Sequence, residues 1–273
     1  MGKDSPYYKD KARDQKLKLR ELMSQLPQPA VDFIYDRELT SQPSTLVAYA
    51  YDLFVFFRFL KDRNPYFAKK EITKITTDDL GRLASEDIVE YQRYLELNVS
   101  GEQHENGKKA IARKMSPLRG MFQYMLEHEY IEKNPMLLVK LPRLKKDKNI
   151  VRMDSYEVQA VLAAIQHGNR QMSARQLAYC ARTRQRDLAI LTLMLNTGIR
   201  VSECAGLDIT DIDYNVNSLT IVRKGGGQDI LYFGDEVRKA LNDYVNGERA
   251  HMIPEAGNEK ALFLSLQNKR MSI

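Results

Sequence analysis

"TGIRVSECAGLDITDID", residues 197–213, joins a Thr-Gly break to an arginine and then to a short helical run with a carboxylate three residues on. Gly198 can take the left-handed backbone that ends a helix, so one helix is expected to stop there and another to open at Arg200. The stretch before it, "RDLAILTLMLN" (186–196), is apolar nearly all round, as expected of a helix at the centre of a domain. The stretch after it divides into three strand-like runs, "LDITDID" (207–213), "SLTIV" (218–222) and "DILYFG" (229–234). Turn residues at Asn215–Asn217 and Gly225–Gly227 separate them, and "DEVRKALNDYV" (235–245) returns to helix. Helix, arginine and three short antiparallel strands make this a small α+β domain.

Working back along the chain, a capping-box pattern, Asp154-x-x-Glu157, opens this domain ahead of Val158, Val161, Leu162 and Ile165. Residues 168–183 are polar and are expected to form a loop or a weak helix. Upstream, "KLPRLKKDKN" (140–149) has five basic residues, one acidic residue and no apolar stripe, and reads as a linker. The first 150 residues contain no convincing strand. "STLVAYAYDLFVFFRFLKDR" (44–63) sets Leu46, Tyr49, Ala50, Leu53, Phe56, Phe57 and Leu60 on one stripe, with Ser44 as an available cap. "GKKAIARKMSPLRGMFQYMLEHEYI" (107–131) has core positions Ile111, Met115, Leu118, Phe122 and Met125. "TTDDLGRLASEDIVEYQRYLEL" (76–97) reads as two helices broken near Gly81–Ser85. "AVDFIYDREL" (30–39) is helical, and "LKLRELMSQL" (17–26) is a short amphipathic helix ended by Pro27 and Pro29. The charged 9–20 run, "KDKARDQKLKLR", mixes acids and bases and reads as a solvated tail. The expected architecture is mainly α with a small three-stranded antiparallel sheet. A tail and short helix (1–28) precede a helical bundle (29–140), a basic linker (141–150) and the α+β domain (151–273).

The chain has 273 residues, 43% hydrophobic and 29% charged, with a formal net charge of +6. Most of the basic excess lies in residues 1–150, which inclines the chain toward anionic partners. Two cysteines, Cys180 and Cys204, cannot frame a disulfide scaffold and suit a reducing compartment. The N-terminal "MGKDSPYYKDKARDQ" is too polar for a signal peptide, and no apolar run reaches membrane-spanning length. A cytoplasmic protein is expected. No His/Cys cluster suggests a metal site, and no cofactor motif is present.

The chemistry centres on Arg200. Its position puts the guanidinium near a helix N-terminus, where an anion is favoured, and Glu203 one turn on can orient it. Lys224, in "RKGGGQD", stands at the entrance to a glycine-rich hairpin turn, from which it can reach a phosphate oxygen or a leaving group. Taken alone, the Arg/Glu pair suits a capping pair and the lysine a polar turn. Lys108, Lys109, Arg113, Lys114 and Arg119 place five positive charges and no negative one within a short stretch, and the linker adds Lys145, Lys146 and Lys148. Together these favour a surface that tracks duplex phosphates over a merely solvated face.

In combination these stretches resemble the tyrosine recombinase family of the phage-integrase and Xer type. The box around Arg200 is similar to the family's first catalytic box, and "SLTIVRKGGGQDILYF" (218–233) to its strand–lysine–strand hairpin. Residues 44–60 and 111–143 resemble its helical, SAM-like core-binding domain. The resemblance implies breaking and rejoining of DNA at a specific site through a 3′-phosphotyrosyl intermediate, without metal or nucleotide, in a synaptic tetramer on double-stranded DNA. It makes Arg200 the first phosphate arginine, Lys224 the general acid for the 5′-oxygen, and Glu203 an accessory buttress. A second arginine in a His-x-x-Arg box and the nucleophilic tyrosine are expected after the third strand, and residues 234–273 hold neither. "HGNR" (167–170) precedes Arg200 and sits in a polar stretch, so it is read as coincidence. Tyr232 and Tyr244 fit structural roles in a strand and in a helical stripe. The expectation is a C-terminally truncated recombinase with an incomplete catalytic domain, inactive by itself. The alternative is a non-catalytic DNA-binding protein that occupies recombination sites. A helical transcription factor with an unrelated second domain leaves the order of Arg200 and the lysine hairpin unexplained.

Overall fold

The computed structural model describes residues 6–97, 107–142, 151–168, 172–223 and 225–272. The chain divides into two compact units, Lys9–Lys148 and Asn149–Ile273 with Met1–Tyr8.

In the first unit the helices are α1 (Pro6–Met23, from Lys9 onward), α2 (Gln28–Glu38), α3 (Pro43–Arg63), α4 (Thr77–Gly81), α5 (Ser85–Leu97) and α6 (Lys108–Glu127). Helix α3 forms the spine. Ala50, Leu53, Phe56, Phe57 and Leu60 are fully buried along it, and the i, i+3, i+4 spacing that puts them there is the sequence signal itself. The helix opens at Gln42 with Pro43 in the first turn, so Ser44 lies inside the helix and does not cap it. Against α3 pack α2 and α6, and Phe56 meets Tyr91 and Phe122 edge-on at 5.0 and 6.3 Å between ring centroids. Gly120 of α6 faces the Phe33 ring of α2, where an added Cβ would stand 2.9 Å from a ring carbon. Close approach, and not backbone freedom, explains this glycine. Beneath the apolar layer Asp52 is buried and accepts Arg113 Nη1 at 2.6 Å and Nη2 at 3.1 Å, tying α3 to α6. The 9–20 run is part of helix α1, where a tail was expected.

The second unit begins with α7 (Ser155–His167), whose capping box forms as its sequence implies: Glu157 N–H donates to Asp154, and Asp154 N–H donates to Glu157. Helix α8 (Ala174–Thr197) departs from expectation. Its polar first half, expected to be a loop or weak helix, is helical from a second capping box, Ser173 with Gln176. The middle of the helix is also held from 62 and 63 residues away. Glu248 accepts the amides of Gln185 at 2.8 Å and Arg186 at 3.0 Å, inserting a carboxylate into the ladder where the polar half gives way to the apolar half. After α8 come α9 (Val201–Ala205), a 3-10 turn at Ile209–Asp211, strands β1 (Ile212–Asp213), β2 (Ser218–Val222) and β3 (Gln228–Tyr232), and α10 (Asp235–Asn246). The three strands form one antiparallel sheet in the order β1-β2-β3, with Ile212 opposite Leu219 and Thr220 opposite Ile230. β1 is shorter than "LDITDID" suggested, because the Asp208 amide donates to Asp211 and coils the start of that run. Leu219, Ile221, Leu193, Val237, Leu241 and Tyr244 share the core beneath the sheet.

Candidate active site

Helix α8 ends where Gly198 turns left-handed (φ 64°) and donates its N–H to Met194 at 3.0 Å. Ile199 drops into the core, and Arg200, in extended backbone, becomes the cap residue of α9. Burying Ile199 leaves the next side chain pointing outward: Arg200 is 61% exposed, while Glu203 is 3% exposed.

Glu203 is the hub. Its carboxylate accepts the Arg200 N–H at 3.0 Å, Arg200 Nη1 at 2.7 Å and Arg223 Nη1 at 3.2 Å. Burial alone would raise its pKa; the Arg200 amide and guanidinium and the Arg223 charge outweigh burial and hold it below the usual carboxylate value. The carboxylate is therefore ionised near neutrality, as a buttress for a cation must be. Arg200 donates only Nη1 to the fold, and its remaining guanidinium hydrogens meet no described residue. Helix α9 has five residues, so the helix-terminus attraction expected for an anion beside Arg200 is weak, and the guanidinium is the main positive feature.

Sequence reasoning missed Arg223. It closes the β2–β3 hairpin by donating its N–H to Gly227 at 2.8 Å, and it holds Asp229 through Nε at 3.0 Å and Nη2 at 2.9 Å. Its third contact, to Glu203, links the hairpin to the Arg200 corner. The available signal was an arginine and an aspartate flanking one glycine-rich turn. Gly225 and Gly226, at φ 109° and 90°, build that turn. Lys224 lies outside the described residues, between Arg223 and Gly225.

Other candidates separate clearly. Tyr244 is fully buried and its hydroxyl accepts the Leu264 amide at 3.2 Å, which fits a structural residue. Burial raises its pKa. Tyr232 is 71% exposed on β3, so its role is not in the core. Cys180 and Cys204 are free thiols, and burial pushes that of Cys204 up to about 12, which keeps it inert. Of the basic run, Lys108 and Lys109 are exposed in the first turn of α6, and Arg119 is exposed and donates to the Val139 carbonyl at 3.4 Å. Arg113 is committed to Asp52, and Lys114 approaches the same carboxylate at 3.6 Å. Lys145, Lys146 and Lys148 lie outside the described residues. Among the described residues no group of three or more His, Cys, Asp or Glu side chains could hold a metal, and no helix is long and apolar enough to cross a membrane.

Residues 152–273 match the model of the phage integrase family. The tyrosine recombinase XerC of Caldanaerobacter subterraneus subsp. tengcongensis is 32% identical over 237 residues, covering 85% of this chain and 60% of its own length. The chain is similar to the tyrosine recombinases. XerC of Lacticaseibacillus casei is 29% identical, over 82% of this chain and 65% of its own length. The chain thus spans roughly three-fifths of the curated recombinases it matches. Among solved structures, the Tn1549 transposon integrase in complex with transposon right end DNA superposes at a TM-score of 0.60 with 20% identity, covering 90% of this chain and 72% of that one. The lambda integrase tetramer bound to a Holliday junction gives 0.57 with 13% identity, covering 89% and 60%. These likenesses establish the recombinase fold.

Proposed function

We propose that this chain is part of a site-specific recombinase that acts on double-stranded DNA in the cytoplasm, breaking and rejoining strands through a 3′-phosphotyrosyl link. Residues 29–140 serve as the core-binding domain and 151–273 as part of the catalytic domain. Arg200 faces the scissile phosphate, Lys224 protonates the departing 5′-oxygen, and Glu203 and Arg223 position Arg200. The observation that carries this reading is the Arg200 side chain, exposed yet fixed at its root by a buried, ionised carboxylate. That arrangement suits a group which must oppose charge as the phosphorane forms, because it is oriented before the reaction and needs no reorganisation during it. A planar guanidinium also offers two parallel donors to two phosphate oxygens.

Duplex contact is assigned to Lys108, Lys109 and Arg119, with Arg113, Lys114 and the linker lysines Lys145, Lys146 and Lys148 beside them. Lysines in the first turn of a helix oppose its dipole, so stability does not select Lys108 and Lys109 there. Binding to phosphate does. Arg113 has a second duty, since it also neutralises Asp52. Self-association into a tetramer on DNA, as in the lambda integrase structure, completes the proposal.

Residues 1–273 include no His-x-x-Arg box after β3. This stretch by itself is therefore proposed to bind DNA without cutting it. A nicked suicide substrate incubated with the 273-residue chain and run on a denaturing gel should give no covalent band. A band abolished by Tyr232→Phe or Tyr244→Phe contradicts the assignment.

A further inference from the structure

Helix α1 carries a second basic surface that the catalytic reading leaves unused. Lys9, Arg13, Lys16 and Arg20 follow each other at intervals of four, three and four residues, which places them within one narrow stripe of the helix. All four are exposed. Asp10, Asp14 and Glu21 fall together on a neighbouring stripe, so the mixture of signs in the sequence resolves into separate faces once the segment is helical. Arg13, Lys16 and Arg20 make no ion pair or side-chain hydrogen bond with a described residue. The flank of the helix beside this stripe is anchored, since Leu19, Leu22 and Met23 are buried in the core of the Lys9–Lys148 unit. The charged stripe is therefore displayed from a fixed support.

We propose that this face of α1 binds the phosphate backbone of duplex DNA, as a contact separate from the α6 lysines; the proposal rests on the recombinase reading only for the identity of the anion. The eleven helical steps from Lys9 to Arg20 span about 16 Å. One strand of a duplex presents a phosphate about every 3.4 Å along its axis, so a stripe of this length faces several phosphates at once. Beyond Arg20 the surface continues into an open groove of about 560 Å³, walled in part by Met23, Leu26 and Val31, where the hydroxyl groups of Tyr35 and Thr73 suit further phosphate oxygens. An anionic membrane is the poorer fit. Interfacial helices need an apolar face to bury in the lipid, and that of α1 is occupied by the protein core. The stripe carries no base-reading geometry, so the contact is independent of sequence.

The test uses the 273-residue chain and a mixed-sequence duplex, with binding followed by fluorescence anisotropy across a salt series. Arg13→Gln, Lys16→Gln and Arg20→Gln combined should reduce the slope of log K against log salt by about 2 to 3, at 0.9 per phosphate contact. Lys16→Gln alone should reduce it by about 0.9 with unchanged far-ultraviolet circular dichroism, which keeps the test valid if the triple variant folds poorly. Arg13→Lys with Arg20→Lys should leave the slope in place. Wild-type binding with the slope unaltered in the triple and single variants overturns this proposal and spares the recombinase reading. Failure of the wild-type chain to bind duplex DNA overturns the recombinase reading as well. Loss of binding to phosphatidylserine vesicles in the triple variant, with DNA binding intact, assigns the stripe to a membrane and overturns the proposal.

Discussion

Arg270 holds Asp208 and Arg200 holds Glu203, two ion pairs in one unit that differ in what else the guanidinium does. Arg270 is 9% exposed and also donates Nη1 to the carbonyls of Ala205 at 3.2 Å and Leu207 at 2.7 Å. Arg186 and Arg249 follow the same pattern, the first reaching the Leu264 carbonyl and the second those of Glu259 and Ala261. These arginines pin the irregular segment 259–270, which has carbonyls to satisfy and little regular structure to satisfy them. Among the described residues the Arg200 guanidinium donates once, and the side chain is 61% exposed. A carboxylate partner therefore does not by itself distinguish a structural arginine from a functional one. The uncommitted donors are what set Arg200 apart from these three.

The comparison breaks most readily at Arg270. Arg270→Ala removes a buried cation and leaves Asp208 and two carbonyls without it, so urea unfolding should show a loss of about 3–5 kcal/mol. Glu203→Gln should come next. It keeps the shape but weakens the hold on two arginines, costing about 1–3 kcal/mol near neutral pH. The sign of its pH dependence follows from the lowered pKa. The Glu203 contribution is complete above the unfolded carboxyl value of about 4.3 and is lost as pH falls toward the folded value. Acid titration of stability should therefore be flatter in Glu203→Gln than in the wild type. The smallest effect belongs to Arg200→Ala, within about 1 kcal/mol, because an exposed side chain is removed while Arg223 and the backbone amide still hold Glu203. Equal destabilisation by Arg200→Ala and Arg270→Ala would make both arginines structural and end the distinction.

What the sequence discloses follows the range of the forces involved. The stripe of α3, the break at Gly198, the Asp154 capping box and the antiparallel hairpin are set by residues a few positions apart, and each was legible. The polar half of α8 was less so, because its Ser173–Gln176 capping box opens a stretch with no apolar stripe. The acids and bases of α1 appear mixed until the helical period separates them. At the site, Arg200 and Glu203 were readable as neighbours on one turn. Arg223 was hidden because its contact with Glu203 spans 20 residues and depends on how the hairpin folds back. Arg113 was legible only in part. Its charge was visible, whereas its partner Asp52, 61 residues away, was not.

The central claim is the division of labour between Arg200 and Lys224, and strand cleavage tests it most directly in a chain that includes the nucleophilic tyrosine. Arg200→Ala should lower the cleavage rate by about 10²–10³ with site binding nearly intact. Arg200→Lys should restore little, since a point charge does not reproduce the planar fork. Lys224→Ala should also be slow on ordinary DNA. A substrate with sulfur in place of the bridging 5′-oxygen has a leaving group that departs without a proton. That substrate should restore cleavage to Lys224→Ala and leave Arg200→Ala slow. Rescue of both variants, or of neither, contradicts the account.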